Sequence, residues 1–201
     1  MIKFFVKLLF TLVVLFTIIN CKGPKATVVN SNDDIVVSYD SLIVKTPYLP
    51  VQIEYAKLLN TKPDSLQNIK MYTFIDKWMN TPYLLGGETK EGIDCSSFTQ
   101  LLFIEVFDKY IERTAQKQFD SEHITLFRGK EFLEEGDFLF FNSPNEQQLI
   151  THVGIYLKNN KFINATSYRG PSGASGVKIC DITNPFWEKR FVAGGKRTDL
   201  E

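Results

Sequence analysis

Hydrophobic and polar positions divide this chain into three stretches. Residues 8–19 read LLFTLVVLFTII, an apolar run relieved only by Thr11 and Thr17 and preceded by Lys3 and Lys7. It is short for a membrane span and has the length of an export-signal core. Residues 22 to about 46 are polar and irregular and read as a tether, in which IVVSYDSLIV (35–44) could supply an edge strand. From about Pro47 apolar residues recur at helical spacing. The spacing predicts a short helix over 51–60. A second runs from a cap at Asp64 or Ser65 to about Met79, with Leu66, Ile69, Met71, Phe74, Ile75 and Trp78 facing inward. Thr81-Pro82 closes it, because the residue before proline is driven out of helical geometry. Asp94 then caps a third helix from Cys95 to about Ile111.

Beyond that point the period changes from helical to alternating. Strands are predicted at 137–142 (DFLFFN), 152–158, 161–166, 177–181 and 191–193, with a hairpin turning at Asn159-Asn160. Helices first and antiparallel strands after give an α+β class, with the N-terminal helices packed on one face of an antiparallel β-sheet. The organisation read from the chain is a signal over 1–20, a tether over 21–46 and one domain over 47–201.

Composition narrows the function. Without Lys3 and Lys7, 21 basic residues face 23 acidic ones, a balance of about −2. That argues against nucleic acid as a partner. With 44% apolar residues and 17 Phe, the domain can bury a sizeable core as a monomer. The chain has three cysteines, too few for a disulfide framework in an exported protein. Cys21 directly follows the apolar run in TIINCKG, as at the cleavage site of a bacterial lipoprotein, where the cysteine is lipidated. Ile18 and Asn20 depart from the Leu and small residue usual in such signals, and an ordinary secretory signal or uncleaved anchor is the alternative. Cys180 lies in the strand-like GVKICDIT and reads as a small buried apolar residue. A Cys95–Cys180 bridge would silence the chemistry described next. With two histidines 29 positions apart and no CxxC or HxxxH spacing, no metal site is expected, and no cofactor is called for.

That chemistry centres on TPYLLGGETKEGIDCSSF (81–98). Cys95 opens a helix, where free backbone N–H groups and the helix dipole favour a thiolate. Asp94 partly opposes this effect. Downstream come His152, in THVGIYLK, and Asn164, in KFINATS. Cysteine, histidine and an amide, in that order, are the parts of a papain-like nucleophilic site. His152 would be the base and Asn164 would accept its Nδ1–H. The other histidine, His123, reads as a surface-loop residue. Tyr83 could donate to a developing oxyanion. Gly86-Gly87 would let the loop approach substrate. Asp94 and Ser96 flank the nucleophile and could bind substrate, or simply cap the helix and face solvent.

The motifs TPYLLGG, GIDCSSF, EEGDFLFF, HVGIYLKNNKFINATS and RFVAGGKR together resemble the NlpC family of cell-wall cysteine peptidases over residues 64–197. The resemblance implies a papain-like fold and cleavage of peptidoglycan stem peptides or cross-links. It implies Cys95 as nucleophile, His152 as base and Asn164 as third polar residue, with Tyr83, Asp94 and Ser96 lining the substrate pocket. Leu85, Ser97 and Glu112 depart from the family pattern, which bears on substrate preference. Taken with the signal, it implies an exported, membrane-anchored lipoprotein of the bacterial envelope. An acyltransferase or amidase using the same Cys-His site, or a non-catalytic wall-binding lipoprotein, are the competing classes.

One geometric expectation follows. A plain two-residue Asn159-Asn160 turn would put Asn164 and His152 on opposite faces of the sheet, so an odd loop or a bulge must restore the parity.

Overall fold

A computed structural model describes residues 27–31, 34–39, 42–170 and 173–200. The expected signal over 1–20 and Cys21 lie outside the described residues. The chain forms two compact units, Met1–Lys45 and Thr46–Glu201. In the first, 35–44 does not stay a single edge strand. Strands β1 (Thr27–Ser31), β2 (Asp34–Tyr39) and β3 (Leu42–Thr46) form a three-stranded sheet in chain order.

The second unit begins with α1 (Pro50–Leu58), whose first position is proline, a residue suited to a helix start. The next helix, α2 (Ile69–Trp78), starts later than predicted. Pro63–Ser65 closes one 3₁₀ turn, and Leu66 is extended. The cap is Asn68, whose side chain accepts from the Met71 backbone N–H at 2.9 Å. Two short strands, β4 (Glu88–Thr89) and β5 (Gly92–Ile93), lead into α3 (Cys95–Phe107). This helix stops four residues before the expected end, because Asp108 turns left-handed (φ 55°). The sequence reading omits α4 (Ala115–Phe119) and β6 (Ile124–Phe127).

The remaining strands are β7 (Phe138–Ser143), β8 (Glu146–Lys158), β9 (Lys161–Thr166), β10 (Gly176–Asp181) and β11 (Phe191–Arg197), with α5 (Pro185–Glu188) between the last two. With β6 they form a six-stranded sheet in the order β10-β9-β8-β7-β11-β6, antiparallel throughout. The predicted strand at 152–158 is the second half of the longer β8. Alternation sorts the side chains into two layers. Phe138, Phe140, Val153, Ile155, Ile163 and Ala165 join the core beneath the helices, with Phe74, Phe98 and Phe103. Leu139, Phe141 and Phe162 pack on the opposite face with Trp187. The helices-on-sheet α+β architecture is the predicted one.

The β8–β9 hairpin meets the parity requirement with a bulge. Lys158 pairs with Lys161 across Asn159 and Asn160, both left-handed (φ 50° and 62°). Tyr156 pairs with Phe162, so Leu157 is an extra residue in the ladder. Beyond it, His152 and Asn164 fall on the same face, as Phe141 and Phe162 do.

Candidate active site

Cys95 occupies the first position of α3 and is buried. The helix start is held by Asp94, whose carboxylate collects donors from several directions. Oδ1 accepts from the Ser97 backbone N–H at 2.8 Å and from the Ser96 hydroxyl at 3.2 Å; Oδ2 accepts from the Gly86 N–H at 2.9 Å. Arg113 grips both oxygens, at 3.2 and 3.0 Å, and also donates to Ser96 Oγ at 3.1 Å and to Glu88 at 2.6 Å. Burial alone would raise the Asp94 carboxyl, but Arg113 and the Ser97 N–H outweigh it and hold it below its usual value. Gly86 is left-handed (φ 76°), and a Cβ on Gly87 would meet the Gly92 carbonyl oxygen. These two glycines let the loop fold onto the helix start.

Ser96 is buried rather than facing solvent. Behind it, the Gln118 side chain donates to the Ser96 carbonyl at 3.0 Å and to the Glu112 carbonyl at 2.7 Å, and accepts from Thr99 Oγ1 at 2.9 Å. Tyr83 is half-buried and makes a bridge with Ile93. Burial raises its phenol, and the proximity of Cys95 and Asp94 adds to the rise, so the hydroxyl keeps its proton and can donate.

His152 sits within β8 opposite Phe141. Its Nε2 lies 3.0 Å from Asn164 Oδ1. The Asn164 Nδ2 donates to the Lys178 carbonyl at 3.2 Å, which fixes the amide with its oxygen toward the ring. An amide oxygen only accepts, so Nε2 carries the proton and Nδ1 is left as an acceptor. This corrects the expected Nδ1 contact. The imidazole is held between Trp187, stacked at 5.1 Å and 29°, and Phe141 at 5.8 Å. Gly154 makes room for this arrangement, since a Cβ there would lie 2.7 Å from the Phe162 ring.

The helix and the strand meet at the next residue along: Cys95 and Val153 pack in the same core, and the Val153 backbone pulls the thiol's value down. Burial pushes that thiol up to about 11, aided by the Asp94 charge and only partly offset by the N–H groups of Val153, Ser96 and Cys95. Burial likewise pushes the His152 imidazole down to about 4, against the pull of Asn164 and of the Asp94 charge. The expected depression of the thiol at the helix start is therefore overturned here. Desolvation outweighs the dipole, so burial favours the uncharged form of each side chain.

The architecture around these residues is a known one. The NlpC/P60 family matches residues 80–196, more than half of the chain. The chain belongs to the NlpC/P60 family. A probable endopeptidase of Haemophilus influenzae is 37% identical over 119 residues, covering 57% of this chain and 65% of its own. The murein DD-endopeptidase MepS/murein LD-carboxypeptidase of Escherichia coli K12 is 35% identical over 114 residues, covering 57% of this chain and 54% of its own. The chain thus spans less than two thirds of the length of either relative. Among solved structures, an NLP/P60-family protein similar to lipoprotein from Staphylococcus aureus has a TM-score of 0.54 at 25% identity, over 64% of this chain and 40% of that one. An NlpC/P60 protein from Bacillus cereus has a TM-score of 0.55 at 16% identity, over 88% and 54%, a likeness of fold.

Of the sequence-predicted NlpC/P60 residues, Tyr83, Asp94, Cys95 and Ser96 gather at the start of α3, and His152 pairs with Asn164 beside them. The histidine set aside, His123, is an exposed turn residue whose ring lies 3.9 Å from Glu122. Cys95 and Cys180 are free, and Cys180 is half-buried beside Trp187 rather than fully in the core. Sequence reading missed Arg113, Gln118, Gly154 and Trp187. Arg113-Thr114 directly after the third helix was the available sign for the first; nothing local marks Trp187.

Proposed function

We propose that this protein is a cysteine endopeptidase that hydrolyses an amide bond in peptidoglycan stem peptides or cross-links. The observation that carries this reading is the junction of Cys95 with the His152–Asn164 pair through Val153. The name of the related murein DD-endopeptidase supports the choice of substrate. In the first step His152 Nδ1 takes the thiol proton as Sγ attacks the carbonyl carbon, and charge moves to the carbonyl oxygen. The Cys95 N–H and the Tyr83 hydroxyl would donate to that oxygen. The C–N bond then breaks, Nδ1–H protonates the departing amine, and a thioester remains on Cys95. Water, deprotonated by the same imidazole, hydrolyses it to a carboxylic acid and the free thiol. Asn164 keeps the ring in the tautomer this sequence of transfers needs. Asp94 and Ser96, with Tyr83, border the acyl half of the substrate.

The same reading puts the chain outside the cytoplasm, anchored in a membrane by lipid on Cys21, with the segment that follows tethering the domain to that membrane. Metabolic labelling with a fatty acid tests the anchor: wild type should be tagged and Cys21→Ser should not. An untagged wild type removes it. For the activity, incubation with defined muropeptides and mass measurement of the products is the test. Products heavier by one water across a single amide bond are expected. No cleavage, or transfer to an acceptor other than water, would overturn the endopeptidase reading.

A further inference from the structure

A cavity of about 390 Å³ opens at His152. Cys95, Tyr83, Asp94 and Ser96 are not among its lining residues, so it touches the candidate site only through the imidazole. One wall is aromatic. Trp187 stacks on His152, Phe186 stands edge-on to Trp187 at 4.9 Å, and Tyr168 stacks on Phe186 at 3.8 Å and 10°. Arg190 also lines the cavity. Its guanidinium lies 3.7 Å over the Phe186 ring, and Nη1 donates to the Phe186 carbonyl at 2.8 Å. The head group is thereby held in place before any ligand arrives.

Among the described lining residues there is no carboxylate, and Arg190 is the only Lys or Arg. Glu188, two positions before it, is paired with Lys130 at 2.7 Å. The contrast with the other side of the nucleophile is sharp. There, Arg113 is already committed to Asp94 and Glu88.

Direction follows from the chemistry. In an acyl transfer the imidazole hands its proton to the departing amine, so the leaving half of the substrate must lie against His152. The cavity that meets the site through His152 alone is the place for it. We infer that this cavity binds the leaving half of the substrate, and that Arg190 selects a leaving amino acid or peptide bearing a carboxylate. The inference rests on the endopeptidase reading above and adds to it a preference on the leaving side. A planar guanidinium fixed on a ring presents paired N–H donors to a carboxylate and has no acceptor for the N–H groups of a carboxamide.

The test uses the full-length protein and two muropeptide preparations that differ only in the diaminopimelate of the leaving half, free carboxylate in one and carboxamide in the other. Wild type should favour the carboxylate form by about tenfold or more in kcat/KM, the worth of a hydrogen bond to a charged group, with the difference carried in KM. Arg190→Met should bring the ratio to about one, and Arg190→Lys should keep part of it. Equal cleavage of both forms by wild type, or a ratio that survives Arg190→Met, would overturn the assignment of Arg190. Cleavage of neither form by folded wild type has a different meaning: the endopeptidase reading then fails, and the leaving-side assignment with it. Should Arg190→Met not fold, as circular dichroism would show, the wild-type ratio and the lysine variant decide.

Discussion

His152 reaches Asn164 at 3.0 Å because Leu157 is inserted as an extra residue in the ladder between them. The left-handed Asn159-Asn160 turn pairs Lys158 with Lys161, and in that register the two side chains would stand on opposite faces. The bulge at Leu157 shifts the phase by one, and both then fall on the Phe141–Phe162 face. If the pair works as proposed, Asn164→Ala should lower kcat well below wild type, yet by less than the roughly 10⁴-fold that follows conversion of a buried triad carboxylate to its amide. Cys95→Ala should abolish turnover with the fold intact. His152→Ala should be nearly as damaging, and His123→Ala close to neutral. Muropeptide turnover, with circular dichroism as the folding control, checks all four. Equal losses from the two histidine changes would reassign the base.

The pH dependence should reflect burial of the site. His152 must be neutral to take the thiol proton, and its imidazole is pushed down to about 4. The acid limb of kcat/KM should therefore fall near pH 4 to 5, not at the ordinary value of about 6.5. Stability should follow the same sign. A folded-state value below the unfolded one means that the unfolded chain binds the extra proton, so this contribution is full above pH 6.5 and is lost as pH drops through 4. A pH-rate profile with its acid limb at 6.5 or higher would show that the imidazole is not buried in the working enzyme.

Arg113 should matter although it touches neither sulfur nor imidazole. Arg113→Met leaves the buried Asp94 charge without its main partner. Breaking a fully buried pair costs about 3–5 kcal/mol; with the Arg113 side chain 31% exposed, about 2 kcal/mol is expected. Asp94 is held below its usual value, so the lost stabilisation should be seen at neutral pH and fade as pH falls through that lowered value. Chemical denaturation at pH 7 and at pH 3 measures both. A loss of equal size at the two pH values would mean that packing, not charge, is at stake.

Ser97 offers a change in the opposite direction. Its backbone N–H makes the cap bond to Asp94, while its buried hydroxyl lies beside the same carboxylate without a well-shaped hydrogen bond. Ser97→Ala keeps the cap bond and removes the poorly bonded oxygen, and alanine is also the better helix former. A gain of about 0.5–1 kcal/mol is expected, readable as a raised midpoint of thermal unfolding. A lowered midpoint would mean that the hydroxyl is satisfied in solution.

What could be read from the chain was set by local signals. Asp94 before an apolar period marks the start of α3, and the alternation from Phe138 onward marks the strands. Asn159-Asn160 marks the hairpin, and parity demands an odd loop or a bulge there, of which the structure has the bulge. What escaped depends on distance or competition. Pro63 stole the start of α2 by closing a 3₁₀ turn, and the left-handed turn at Asp108 cut α3 short. Arg113 lies 19 positions from Asp94, and Trp187 lies 35 from His152; neither pairing leaves a periodic trace. The direction of the Cys95 shift escapes the sequence because a helix start is visible there and the depth of its burial is not.

The segment leading to Tyr83 has a second job. Asn80 donates its N–H to the Val177 carbonyl at 2.9 Å, and Val177 donates to the Thr81 carbonyl at 2.8 Å. Gly176, at φ 130°, allows this approach, since a Cβ there would meet the Thr81 oxygen. These bonds cover the start of β10, the outer strand of the six-stranded sheet. An uncovered outer strand offers its N–H and C=O groups to any passing chain. A substitution that loosens the turn before Tyr83, or a side chain placed on Gly176, would therefore cost solubility along with turnover, and the insoluble material should form by strand addition at β10.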